Sequence, residues 1–325
     1  MKPIRWGILG TGRMAEAFTL AMPEVVDSEI VAVASRKQAR ADEFANKHNI
    51  GLALGDYQAL VAEEIDVVYV ATPHVFHEEN MSMCLDANKA VLCEKPFTIN
   101  SKQAETVIAL ARRKNLFLME AMWTRFIPAI IKLRELLAKK TIGDVQVMLA
   151  GGAFMPEFDP EFYLFDPELG GGVLLDAGVY MISMASMLFG KPSSIRALAG
   201  LGKTGVDEHD AYLLEHDSGA LANLYVSLRG QSSPDLTLLG SKGKIYLHPP
   251  IFCPAKLTLD TYNGESESID LPFNANGYQF EIEEVNSCLR QGLTESRLMP
   301  LDETLEIIRT MDEIRRQIGL KYPME

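Results

Sequence analysis

The chain has 325 residues and a mass of 36.0 kDa, more than one hydrophobic core usually serves, so two domains are expected. Its 47% hydrophobic and 23% charged residues suit a globular protein, and a net charge of −13 with a pI near 5.0 repels nucleic acid and anionic membrane surfaces, which sets both aside as partners. No apolar run reaches the roughly 18 residues of a membrane span, and four cysteines, Cys84, Cys93, Cys253 and Cys288, are too sparse for a disulfide framework, so a reducing, cytoplasmic setting is expected.

The opening stretch, MKPIRWGILGTG, has too short an apolar run for a signal peptide and leads straight into glycines. Apolar runs at 4–9, 30–34, 67–71, 90–93 and 116–120, with a weaker one at 52–54, predict strands. Amphipathic stretches at 38–48, 78–87 and 102–114 predict helices between them. Strand and helix in strict turn imply a buried parallel sheet with right-handed crossovers, a doubly wound α/β domain over 1–121.

Beyond residue 121 the rhythm changes. Helices are expected at 128–140 and 172–189, flanking a Phe- and Pro-rich stretch, FMPEFDPEFYLFDPE, that has no clear period. From 194 to 271 strands dominate, with turn signals at 217–219, 241–243 and 263–264 suited to hairpins, so 122–325 reads as an α+β domain with a large antiparallel sheet. Helices at 279–291 and 302–318 close the chain.

Gly10-Thr11-Gly12-Arg13-Met14-Ala15 fits G-x-G-x-x-A between a strand and a helix. Gly10 makes the tight turn, Gly12 lets a pyrophosphate approach the backbone, and Ala15 keeps the helix close to the sheet. The helix N-terminus offers amides and partial positive charge to the phosphates. Where many NAD-binding proteins place an acidic residue after the second strand, this chain has Ser35-Arg36-Lys37. A hydroxyl and two cations favour the 2′-phosphate of NADP, although an ordinary basic helix start has the same composition.

The fourth strand ends in Thr72-Pro73-His74, with His77 three residues on. His74 and His77 read as helix-capping or cofactor-wall residues rather than zinc ligands, because no nearby thiol or carboxylate completes a tetrahedral set; no metal is expected. The fifth strand runs into Glu94-Lys95-Pro96. Glu94 can position Lys95, whose ammonium can polarise a substrate oxygen, or the two can form a plain strand-end salt bridge. Pro96 suggests a rigid turn, conceivably through a cis bond.

These residues, with Gly170-Gly171-Gly172 leading to Asp176-Ala177-Gly178-Val179-Tyr180, resemble the Gfo/Idh/MocA oxidoreductase family over nearly the full length. In most of that family the last position is His. Tyr180 instead, together with Glu120-Ala121-Met122-Trp123-Thr124-Arg125-Phe126, resembles the branch of dimeric dihydrodiol dehydrogenases and NADP-dependent D-xylose 1-dehydrogenases. The spacing independently places Asp176 and Tyr180 on one helix face, where a core tyrosine bonded to Asp176 is the bland alternative.

The resemblance implies an NADP-dependent dehydrogenase acting on a sugar or cyclic diol, with Tyr180 transferring the proton, Lys95 its electrostatic helper and Asp176 the orienting carboxylate. It places Trp123 and Arg125 against the cofactor, with Tyr278 a weaker candidate for the crevice. It also implies a homodimer through the second sheet, where the stretch 220–228 offers an apolar face. The aromatic run 154–165 serves either as an apolar wall for substrate or as a covering loop. A redox-assisted glycosidase or lyase and a non-catalytic NADP sensor are the rival functions.

Overall fold

The structure, a computed structural model, describes residues 2–325 and divides into two units, Met1–Trp123 with Asn274–Leu305, and Thr124–Phe273 with Glu306–Glu325. The expected single cut at 121 therefore misses a return of the chain. Segment 274–305 belongs to the first unit because it is bonded there: Asn276 donates to the Ala17 carbonyl, Asn286 to Ser28 Oγ, and Leu118 N to the Thr294 carbonyl at 3.1 Å.

The first unit carries strands β1 (Ile4–Leu9), β2 (Ser28–Ala34), β3 (Leu52–Leu54), β4 (Val67–Val70), β5 (Ala90–Glu94) and β6 (Leu118–Ala121). All pair in parallel in the order β3-β2-β1-β4-β5-β6, the doubly wound arrangement whose order reverses beside β1. Helices α1 (Arg13–Ala21), α2 (Gln38–His48), α3 (Tyr57–Ala62), α4 (His77–Asp86) and α5 (Ser101–Lys114) connect these strands. Continuous apolar strands are needed because both sheet faces are covered: β4 and β5 are buried at every residue. Under β1, Trp6, Phe18 and Tyr69 stack as one aromatic column, Phe18 and Tyr69 with ring centroids 3.9 Å apart.

The second unit starts with α6 (Pro128–Ala138) and β7 (Val145–Ala153), then a π-helical turn (Leu174–Gly178) running into α7 (Val179–Phe189). Strands β8 (Pro192–Leu201), β9 (Asp207–His216), β10 (Leu221–Ser227), β11 (Ser232–Gly240), β12 (Gly243–Leu247), β13 (Lys256–Thr261) and β14 (Ser266–Asp270) follow. Their sheet has the order β14-β13-β12-β11-β7-β10-β9-β8 and is antiparallel except where β10 runs parallel to β7. Along β9 and β10 buried and exposed residues alternate, which is the signature of a sheet with one covered face. Helices α8 (Gln279–Arg290) and α9 (Leu301–Ile318) complete the chain.

Strand β7 departs from the sequence expectation, which left 141–171 without a strand; its Gly151 and Gly152 lower strand propensity. Gly151 sits under the Tyr225 ring, where a Cβ would come within 2.2 Å of ring carbons. The helical run Pro167–Phe189 is also long and apolar enough, at 23 residues, to match a membrane-crossing helix, contrary to the expectation that no run is. Its apolar window is 67% buried inside the protein, as in a core helix.

Candidate active site

Each unit carries part of the expected catalytic set. In the first, β1 ends at Gly10, which has φ of +102° and whose Cβ would lie 2.5 Å from the Ala71 carbonyl oxygen. Only glycine satisfies both the conformation and the contact. Gly12 caps α1 with extended backbone and no side-chain bond to the helix amides, and nothing lies within 4 Å of where its Cβ would be. The ground in front of the α1 N-terminus is therefore open for an anion, while Ala15 behind it is fully buried against the sheet. Thr11, Arg13 and Met14 complete this turn, and the cradle fits a dinucleotide pyrophosphate.

At the end of β2, Ser35 is buried while Arg36 and Lys37 are exposed. The Arg36 guanidinium stands 5.1 Å from the centroid of the Phe76 ring. Arg40, one helical turn past Arg36, lines a surface hollow with Thr11, Phe44 and Lys47, flanked by Glu16 and Glu43. Sequence reasoning did not single out Arg40, although it stands four residues past Arg36.

After β4, Thr72 is pinned by two neighbours: its Oγ1 accepts from Asn80, and its carbonyl faces His77 Nε2 at 2.8 Å. His77 Nδ1 faces the Pro96 carbonyl at 2.9 Å, so this ring, fully buried, ties the β4 and β5 ends together behind Pro73 and His74. The structure thus makes His77 a brace of the wall rather than part of its surface. Burial holds its pKa below the ordinary value, against the pull of the two carbonyls, and a neutral ring can donate to only one of them.

At the end of β5 the Lys95–Pro96 bond is cis. Glu94 accepts from the Tyr69 hydroxyl and, at 3.3 Å, from Lys95 N, and both Glu94 and Lys95 are more than nine-tenths buried. Glu120 fixes the next turn by accepting from Phe97 N. Trp123 stacks on Tyr278 with centroids 4.7 Å apart, so the weaker candidate is an internal partner of the stronger one. The glycine turn, Ser35, Thr72 and Lys95 all stand at the carboxyl ends of neighbouring strands, where open α/β sheets bind ligands.

In the second unit, the expected helix at 172–189 opens as a π-turn, a widened coil that single-sequence periodicity does not reveal and that recurs at functional sites. Residues 171–175 are buried, as are Gly178 and Val179, but Asp176 and Tyr180 are partly exposed. Asp176 and Tyr180, four residues apart, thus reach the surface of a mostly buried run, with Ala177 partly exposed between them. The Tyr180 ring lies 5.9 Å from that of Phe252, whose carbonyl accepts from Thr124 Oγ1. Arg125, 2% exposed, donates through Nε to Ser183 Oγ at 3.0 Å and through Nη2 to the Ser183 carbonyl at 2.9 Å. The structure gives this expected cofactor contact a place against α7, one turn beyond Tyr180. In the aromatic run, Phe154, Phe158 and Phe162 remain partly exposed and Phe165 is buried.

None of the four cysteines forms a disulfide among the described residues, and burial pushes Cys84 up to about 12 and Cys253 up to about 11. Among the described residues no group of three or more His, Cys, Asp and Glu side chains is placed to hold a metal ion.

A glycine cradle on a doubly wound sheet, followed by a unit presenting an acid and a phenol, defines a two-part nicotinamide-dependent oxidoreductase. The model of an oxidoreductase family with an NAD-binding Rossmann fold, GFO_IDH_MocA, matches residues 4–122, and that of the GFO/IDH/MocA C-terminal domain matches 130–246. Trans-1,2-dihydrobenzene-1,2-diol dehydrogenase from Xenopus laevis is 38% identical over 98% of this chain and 99% of its own. The Homo sapiens protein of that name is 36% identical, with 99% of both chains covered. Among solved structures, KijD10, a 3-ketoreductase from Actinomadura kijaniata in complex with NADP and TDP-benzene, superposes with a TM-score of 0.87 at 26% identity over 98% of each chain. The chain belongs to the Gfo/Idh/MocA family and is an oxidoreductase acting on CH–OH groups with a nicotinamide cofactor. The rival glycosidase, lyase and sensor readings find no support among these relatives.

Proposed function

We infer that the protein is an NADP-dependent dehydrogenase of a ring-bound hydroxyl, its substrate a cyclic trans-diol or a sugar. The observation that carries this reading is the end-to-end identity with dihydrodiol dehydrogenases, joined to the paired exposure of Asp176 and Tyr180. When bound, the nicotinamide supplies the hydride acceptor. The Tyr180 phenolate takes the substrate hydroxyl proton during oxidation, and the resulting phenol returns it during reduction. A phenol titrates near 10 on its own, so this role needs a cation to favour the phenolate, and that part is assigned to Lys95; Asp176 orients the phenol. Glu94 holds the Lys95 backbone in place.

NADP is favoured over NAD because Arg36 and Lys37 follow β2 and Arg40 lies in the first turn of α2, with no carboxylate at the end of β2 to hold a ribose diol. The four thiols, with no disulfide among the described residues, suit a reducing, cytoplasmic setting. On the second sheet, Leu149, Leu198, Leu213, Leu221 and Tyr225 are 39–80% exposed, a face suited to a second copy of the chain. A monomeric mass by light scattering would remove the dimer.

Absorbance at 340 nm, with NADP and then NAD against cyclic trans-diols, pentoses and hexoses, tests the whole reading. NADP reduction with a diol or an aldose is expected. Failure of every diol and sugar, or equal rates with NAD, would overturn it.

A further inference from the structure

The π-turn that presents Asp176 and leads to Tyr180 is held from below by two acids on β9. Asp207 is fully buried and Asp210 is 5% exposed. Positions three apart in a regular strand point to opposite faces. Here they point the same way because the pairing shifts: Gly200 faces His209 but Leu201 faces Asp207, so Glu208 is the extra residue of a bulge. The bulge is itself anchored, Glu208 by the Arg229 guanidinium at 2.5 Å and its carbonyl by Leu228 N.

Each acid has one engaged oxygen and one waiting. Asp207 Oδ2 accepts from Leu174 N at 2.6 Å, the first residue of the π-turn, and Asp210 Oδ2 accepts from the Tyr212 hydroxyl at 2.6 Å. The Oδ1 atoms of both are buried with no hydrogen-bond partner found for them among the other described residues, and the two carboxyl groups are within hydrogen-bonding reach of one another. Two acceptors facing each other in a buried place are satisfied by one proton between them. Burial, and after it the neighbouring Asp210, pushes the Asp207 carboxyl well above the ordinary range, and burial raises Asp210 too. The other groups around the pair are His209 and Tyr212 on the same strand and Tyr322 near the C-terminus, whose hydroxyl donates to the Gly171 carbonyl at 2.7 Å. Gly172, with φ of +106°, lets the turn approach so closely that a Cβ there would meet Asp207 Oδ1 at 1.9 Å, and Tyr212 Oη would lie 3.1 Å from a Cβ on Gly178. The contacts span the π-turn from its entry to its end.

We propose that Asp207 and Asp210 hold one proton between them and act together as positioning residues, fixing the turn from which Asp176 and Tyr180 project. The catalytic half of this inference rests on the dehydrogenase reading; the shared proton and the grip on Leu174 do not.

The test compares Asp207→Ala, Asp207→Asn and Asp210→Asn in the full-length protein, by steady-state kinetics with NADP and by hydrogen exchange of the peptide spanning 172–180 without nucleotide. Asp207→Ala should speed exchange across the turn about ten-fold and lower kcat about ten-fold at little-changed KM for NADP, because Leu174 N loses its acceptor. Either Asn variant should recover most of that loss, since an amide supplies the missing donor and keeps an acceptor. Two results would overturn the proposal: Asn variants as impaired as Ala, which would mean both acids are needed ionised, or an Ala variant with native exchange. If neither the native protein nor any variant oxidises a substrate, the exchange data still decide the positioning claim, and the dehydrogenase reading fails separately.

Discussion

Glu281 lies in the first turn of α8, fully buried, and neither carboxyl oxygen has a hydrogen-bond partner among the described residues. Burial, and secondarily the charge of Glu94, raises its pKa well above the ordinary 4.5. The folded protein therefore keeps a proton that the unfolded chain has released once the pH passes about 4.5, and stability falls as pH rises from there until the raised folded value is reached. Within that window one group costs about 1.4 kcal/mol per pH unit. Glu281→Gln keeps the shape and the neutral state but removes the titration. Between pH 5.5 and 7.5 the unfolding free energy of the variant should therefore rise relative to that of the native protein, by about 1.4 kcal/mol per pH unit for as long as the folded carboxyl keeps its proton. Urea unfolding of both proteins at the two pH values measures this, because every other titration cancels in the difference. A difference between the two proteins that stays constant with pH would refute the reasoning and show that Glu281 is ionised when folded.

Tyr180→Phe should lower kcat by roughly 10²- to 10⁴-fold while NADP binding, followed by fluorescence, stays within a few-fold; near-native turnover would remove the phenol from the proton path. Arg36→Ala should raise KM for NADP about ten-fold and leave that for NAD unchanged, as the loss of one charge-assisted contact to a phosphate requires. Equal effects on both cofactors would point to the adenine face of the Phe76 pair instead. Gly172→Ala should destabilise the second unit by about 2 kcal/mol or more, since the substitution adds a left-handed strain to a collision with Asp207; an unchanged urea midpoint would show that the acid can retreat.

Most of the first unit was legible because its physics is local. A strand buried on both faces must read as an apolar run, and six such runs separated by amphipathic stretches leave few arrangements open. The glycine turn was legible for the same reason: at Gly10 both the positive φ and the Ala71 carbonyl exclude a larger residue. The three hairpin signals at 217–219, 241–243 and 263–264 each fall between paired antiparallel strands, with Gly219 and Gly264 at positive φ. What escaped was set by distant partners. β7 is a strand because neighbours on both sides complete its ladder, and Tyr225 covers the glycine its own sequence leaves bare. The bulge at Glu208 and the π-turn leave no periodic trace, yet one aims Asp207 and the other presents Asp176. His77 and Arg125 were read as cofactor contacts from their place in the chain, and their hydrogen bonds to Thr72, Pro96 and Ser183 could be found only in three dimensions.

With segment 274–305 returning to the nucleotide-binding unit and 306–325 to the second, the chain passes through each unit twice. A fragment ending at Trp123 would lack α8, leaving Tyr278, Ile282 and Val285 out of the core they help to close. Recombination between relatives should therefore keep the core of the first unit intact when one donor supplies both 1–123 and 274–305, two pieces distant along the chain.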